Sequence, residues 1–299
     1  MPTWNDILIE LNSSNRVDAL DFVRHKYLKN LHNKTGRNII TYYSGWLQKP
    51  GIGNANICDD DKNGLMATVH KLDRSKGLDL MLHTPGGDLA ATESIVYYLK
   101  KMFGNNIRAI IPQIAMSAGT MIACACKTIV MGKQSNIGPI DPQFNGIPVH
   151  GVLDEFKKAL EEVKKDPASI PIWQIVVGKY HPTFIGECKN AIEWSEKIVK
   201  TWLIDNMFEN QHDAKEKADK VVKHLGNHAD TKTHARHIHM DEAKTFGLDI
   251  KFLETDFDDE FQDLVLTVHH TYMHAFARAS AIRIVENHLG NAVVFNITK

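Results

Sequence analysis

The stretch Ile114-Ala115-Met116-Ser117-Ala118-Gly119-Thr120 decides how the rest of the chain is read. Before it runs Ile107-Arg108-Ala109-Ile110-Ile111-Pro112, whose apolar continuity predicts a buried strand. After it, Met121 to Cys126 is a run of small and apolar residues that predicts a packed helix. A serine between strand end and helix start sits at the positive end of a helix dipole. Two readings follow. Ser117 is either an N-cap, a position serine favours, or a nucleophile with room for substrate left by Ala118 and Gly119. A second stretch weighs on that choice. Gly77 to Leu82 predicts another strand, leading into His83-Thr84-Pro85-Gly86-Gly87-Asp88. A helix with Ile95, Val96, Leu99 and Met102 on one side follows it. A Pro-Gly-Gly turn exposes backbone N–H groups that can hold a developing oxyanion. The order strand, turn, helix, strand, turn, helix predicts a parallel βαβ unit with both turns at strand carboxyl ends, where α/β folds place their sites.

Thr84-Pro85-Gly86-Gly87-Asp88 together with Met116-Ser117-Ala118-Gly119 resembles the Clp protease and crotonase fold, and within it the signal-peptide-peptidase-A-like serine peptidases. The chain looks most like the serine dehydrogenase proteinases. Ser135-Asn136-Ile137-Gly138-Pro139-Ile140-Asp141-Pro142-Gln143 and Asp241 to Leu248 extend the likeness, which covers roughly residues 36 to 299. It implies an α/β fold of repeated ββα units with helical N- and C-terminal extensions. It also implies a serine peptidase acting on a peptide or protein substrate without a cofactor. Ser117 would be the nucleophile, with Gly86, Gly87 and the Ala118 amide serving substrate and oxyanion. Members of this fold commonly form rings or trimers, so a homo-oligomer is expected. A crotonase-like acyl-CoA enzyme and a non-catalytic oligomeric scaffold are the competing functions.

The general base is less plainly written. Clp relatives place a histidine near the Ser135–Gln143 loop, where this chain has Asp141; that residue either orients a base or shapes the loop. In signal-peptide-peptidase-A-like enzymes a Gly-Lys-Tyr-Lys-like segment ends in the catalytic lysine. Here Gly178-Lys179-Tyr180-His181 ends in histidine, which needs no large pKa shift to act near neutral pH. His181 is therefore the first choice. Lys158 and Lys179 are alternatives, as are His83, His234, His237 and His239.

Composition narrows the partners. In 299 residues, 35 basic side chains nearly cancel 36 acidic ones, so no basic face for nucleic acid is expected. No apolar run approaches the ~20 residues of a membrane span. Met1 to Asn15 carries Asp6 and Glu10 and does not read as a signal peptide, so a cytoplasmic location is expected. Cys58, Cys124, Cys126 and Cys188 lack metal-ligand spacing, and Cys124 and Cys126 read as core residues. The Asp59-Asp60-Asp61 triplet lacks calcium-loop spacing and reads as an exposed helix start. Thr233 to His239 and the pair His270 and His274 have metal-like spacing without supporting context, so no metal is expected.

Three segments are expected: a helical N-terminal extension over 1–35, a catalytic domain over 36–255, and a helical oligomerisation segment over 256–299. In the last, a helix is expected from about Asp258 to His288. Its stripe of Phe261, Leu264, Val265, Val268, Tyr272, Met273 and Phe276 is expected to meet another subunit.

Overall fold

Apolar residues fill both parities of the expected strands, which requires a sheet covered on both faces. The computed structural model describes residues 4–144, 146–226 and 233–297; residues 1–3 of the expected N-terminal extension and 298–299 of the expected C-terminal segment lie outside the described residues. The strands are β1 (Asn38–Ser44), β2 (Leu78–His83), β3 (Ile107–Ile111), β4 (Ile114–Ala115), β5 (Thr128–Met131), β6 (Asn136–Ile137), β7 (Gln143–Phe144), β8 (Ile147–Pro148), β9 (Ile238–His239), β10 (Ile250–Phe252), β11 (Ala281–Asn287) and β12 (Ala292–Asn296). The main sheet has the order β10-β5-β3-β2-β1-β11-β12. From β10 to β1 all neighbours are parallel; β11 runs antiparallel to β1, and β12 antiparallel to β11.

The helices are α1 (Trp4–Ser13), α2 (Ala19–Thr35), α3 (Asp61–Val69), α4 (Leu89–Phe103), α5 (Ala118–Cys124), α6 (Val149–Lys165), α7 (Ile170–Val177), α8 (Phe184–Trp202), α9 (Ala214–Gly226), α10 (Met240–Phe246) and α11 (Asp259–Arg278). One sheet face presents Ile39, Tyr43, Met81, Ile110 and Val130 to Leu28 and Leu31 of α2 and Phe261, Val265 and Phe276 of α11. The opposite face presents Ile40, Leu80, Leu82, Ala109 and Ile129, covered by Leu65 of α3, Ile95 and Leu99 of α4, Met121 of α5 and Val199 of α8. The alternation is the two-residue period of a strand buried on both sides.

Three expectations change. The last helix stops at Arg278, and Ala281 to Asn287 forms β11 beside β1 instead of continuing it. Ile282, Ile284 and Val285 favour an extended backbone, and a place between β1 and β12 buries all seven residues of the strand. The stripe of α11 is spent inside the chain: Phe261, Val265, Val268, Tyr272 and Phe276 are buried against α2 and the sheet, so they are not offered to a neighbour. Finally, Asp61 is not an exposed helix residue. It is fully buried, 2.8 Å from Arg283 of β11, and also accepts from the Tyr42 hydroxyl and the Cys58 amide.

Among the described residues, no helix is long and apolar enough to cross a membrane. Beneath the Gly-Gly turn lies a cluster of buried aromatic rings. His83 packs 4.5 Å from Trp46 and 5.1 Å from His269, centroid to centroid, and neither of its ring nitrogens has a hydrogen-bond partner among the described residues. Burial holds its pKa well below the ordinary histidine value and lowers that of His269 to about 3. Both rings are therefore neutral in the folded protein and take up protons only on unfolding. The folded pKa values lie below the unfolded ones, so stability is intact above roughly pH 6.5 and is lost as pH falls from there. Each such ring contributes up to ~1.4 kcal/mol per pH unit in that window. Chemical denaturation at pH 7, 6 and 5 is expected to show a progressive loss, smaller in His269→Phe.

Candidate active site

Two short backbone pairings bring the serine turn to the Gly-Gly turn. The Thr84 amide donates to the Ile114 carbonyl at 3.1 Å, and the Met116 amide to the Thr84 carbonyl at 3.0 Å. This extends β2 past its end and clamps it to β4. Thr120 locks the other side: its hydroxyl donates to the Ala115 carbonyl at 2.8 Å and accepts from the Gly138 amide at 2.9 Å. Gly86 makes the approach possible. A Cβ there would lie 2.7 Å from Ser117 Cβ, and its φ of +102° is one that side chains resist.

Ser117 itself has φ 50° and ψ −116°, a left-handed conformation rare for a non-glycine residue. Such strain costs on the order of 1–3 kcal/mol and persists where the surroundings enforce it. It occupies the N-cap position of α5, yet its side chain makes no capping hydrogen bond. The hydroxyl is thus left to the cavity. The Gly87 and Ala118 amides have no hydrogen-bond partner among the described residues, and both residues line that cavity beside Ser117.

The segment around Ile57 braces the turn from outside. The Ile57 amide donates to the Gly86 carbonyl at 2.8 Å, and the Asp88 amide donates to the Ile57 carbonyl at 2.9 Å. A Cβ on Gly87 would stand 2.3 Å from both Ile57 N and O. Gly87→Val therefore forces the two segments apart. Faster hydrogen exchange at the Ile57 and Asp88 amides is the expected signature, with a stability loss of about 1–3 kcal/mol.

The cavity, about 660 Å³, is also lined by Asp141 and His234. Asp141 is fully buried, and the His234 Nδ1 lies 2.8 Å from its Oδ1. With a carboxylate as partner, Nδ1 carries the proton and donates. The other nitrogen, Nε2, has no partner among the described residues. The loop bearing Asp141 is fixed at both ends. The Ile140 carbonyl accepts from Ser195 Oγ at 3.0 Å, the Ile140 amide donates to the Leu225 carbonyl at 2.9 Å, and the Pro142 carbonyl accepts from the Val149 amide at 3.1 Å.

The structure thus brings together Ser117, Gly86, Gly87, Ala118 and Asp141 from the sequence expectation, and of the alternative bases it places His234 with them. It does not bring His181. That ring lies between α7 and α8 with 55% of its side chain exposed, 3.2 Å from Thr183 Oγ1 and 3.6 Å from Glu187 Oε2, and is not among the residues lining the Ser117 cavity. Lys158 and Lys179 are exposed and do not line it either. His83 is sealed in the aromatic cluster. Among the described residues no group of three or more metal-ligating side chains occurs. His234 stood among several histidines in the sequence, and its partner lies 93 positions away, so spacing alone could not select it. The Ile57 brace carries no sequence signal beyond the glycine that admits it.

The chain matches the family model of ClpP-like SDH-type serine proteinases over residues 7–280. It belongs to that family. Among curated proteins it resembles two from Methanocaldococcus jannaschii, both described as uncharacterized. One, MJ0137, is 30% identical over 237 residues, covering 77% of this chain and 74% of its own length. The other, MJ1495, is 27% identical over 194 residues, covering 65% of this chain and 59% of its own length. As a member of that family, the chain has the ClpP-like fold that the paired Gly-Gly and serine turns imply.

Proposed function

We propose that this ClpP-like SDH-type proteinase is a serine peptidase with Ser117 as nucleophile, His234 as general base and Asp141 as the group that orients it. The observation that carries the reading is the 2.8 Å contact of His234 with the buried Asp141, both lining the same cavity as the strained, uncapped Ser117. His234 Nε2 takes the Ser117 hydroxyl proton as Oγ bonds to the substrate carbonyl carbon. The oxyanion accepts from the Gly87 and Ala118 amides, which need no reorganisation because nothing else occupies them. Collapse breaks the C–N bond, and the imidazolium returns its proton to the departing amine. Water, deprotonated by the same nitrogen, then releases the acyl group. His181 takes no part in this proposal because its exposed ring faces Thr183 and Glu187. Assembly as a homo-oligomer belongs to the same reading and rests on family membership alone.

A fluorophosphonate probe is expected to label the full-length chain at Ser117, and His234→Ala is expected to slow that labelling. Failure to label Ser117 at pH 8 overturns the proposal.

A further inference from the structure

A second cavity, about 550 Å³, opens beside the first and shares Pro85, Gln143, Gly146 and His234 with it. It touches neither Ser117 nor the Gly87 and Ala118 amides. Its walls are largely apolar, built from Trp46, Leu47, Ile114, Met116 and Pro148, and His237 joins the shared His234 in the lining. Among the described residues lining it there is no Asp, Glu, Lys or Arg, so a charged group entering it would lose water without gaining a permanently charged partner. The walls are also preformed. Trp46 lies over the buried His83 ring at 4.5 Å, with an interplanar angle of 32°. Met116 is wedged against Gly138, where a Cβ would stand 2.5 Å from the Met116 methyl carbon.

We propose that this cavity receives the side chain of the residue following the scissile bond, and that it selects large aliphatic or aromatic residues there. The inference rests on the peptidase reading above. The side follows from the chemistry: the imidazole that returns a proton must face the leaving nitrogen, so a cavity reached past His234 and away from the oxyanion amides lies on the leaving-group side. The class follows from the lining, since filling an apolar, preformed cavity favours apolar groups. The two cavities together would hold an extended peptide across the Ser117 turn.

The test uses the full-length chain and fluorogenic peptides that differ only at the residue after the cleaved bond. Leucine or phenylalanine is expected to exceed aspartate or lysine by ~10-fold or more in kcat/KM. Leu47→Asp is the informative variant, because Leu47 is 41% exposed and its replacement leaves the core untouched. It is expected to reduce the leucine-to-lysine ratio at least ~5-fold, with fluorophosphonate labelling as the control that the nucleophile is still assembled. A flat profile across the four residues, or an unchanged ratio in Leu47→Asp, overturns the proposal. Calorimetry with the Ser117→Ala chain separates this inference from the peptidase reading. A short peptide amide beginning with phenylalanine should bind more tightly than one beginning with aspartate, and Leu47→Asp should remove the difference. Equal binding overturns the pocket assignment even if Ser117 labels; a difference upholds it even if Ser117 does not.

Discussion

Replacing Ser117 by alanine is expected to lower peptide cleavage by roughly six orders of magnitude, while the stability of the protein changes by less than about 0.5 kcal/mol. The two halves of that result come from the same geometry. The hydroxyl occupies the N-cap position of α5 but makes no capping bond, so deleting it removes no stabilising contact. A serine that did cap the helix would cost about 1 kcal/mol or more when truncated. Alanine also tolerates φ 50° about as poorly as serine, so the backbone strain is carried over unchanged. Residual cleavage of ~10³–10⁴ over water is expected from the Gly87 and Ala118 amides and from substrate binding. The measurement pairs kcat/KM on a peptide with denaturant unfolding of both proteins. Substantial cleavage by Ser117→Ala, or a stability loss of the size of a lost cap, contradicts the account.

The second large effect concerns the proton acceptor. His234→Ala is expected to reduce kcat by ~10⁴-fold or more, and Asp141→Asn by ~10⁴-fold. An asparagine at 141 can present its amide N–H to Nδ1 and stabilise the tautomer that has its proton on Nε2, the atom that must be empty to accept. His181→Ala is the matched control and is expected to change kcat by less than ~2-fold, since its ring meets only Thr183, Glu187 and Phe184. If His181→Ala abolishes cleavage while His234→Ala spares it, the base has been misassigned.

Much of this protein follows from local pattern. The strands β2 and β3 are written as short, largely apolar runs, and the absence of alternation marks a sheet covered on both faces. The two turns at the candidate site are marked by residue types that little else explains: consecutive glycines after a proline, and a serine followed by alanine and glycine. Asp258 as the cap of α11 and Gly247 closing α10 in a left-handed conformation are likewise local facts. Misreadings arose where local pattern was ambiguous. Residues 281–287 follow closely on a long helix, and pairing with β1 and β12 makes them a strand.

The sequence by itself determined the covered parallel sheet, the Gly-Gly and serine turns, and the fold family, because strand pattern and turn chemistry are each written in residues a few positions apart. The tertiary structure alone decided that Ser117 leaves its helix uncapped, that His234 and not His181 shares its cavity, and that Asp141 holds that ring. Those relations join residues some 93 or more positions apart, or depend on where one hydroxyl points, and neither is recorded in the order of residues along the chain.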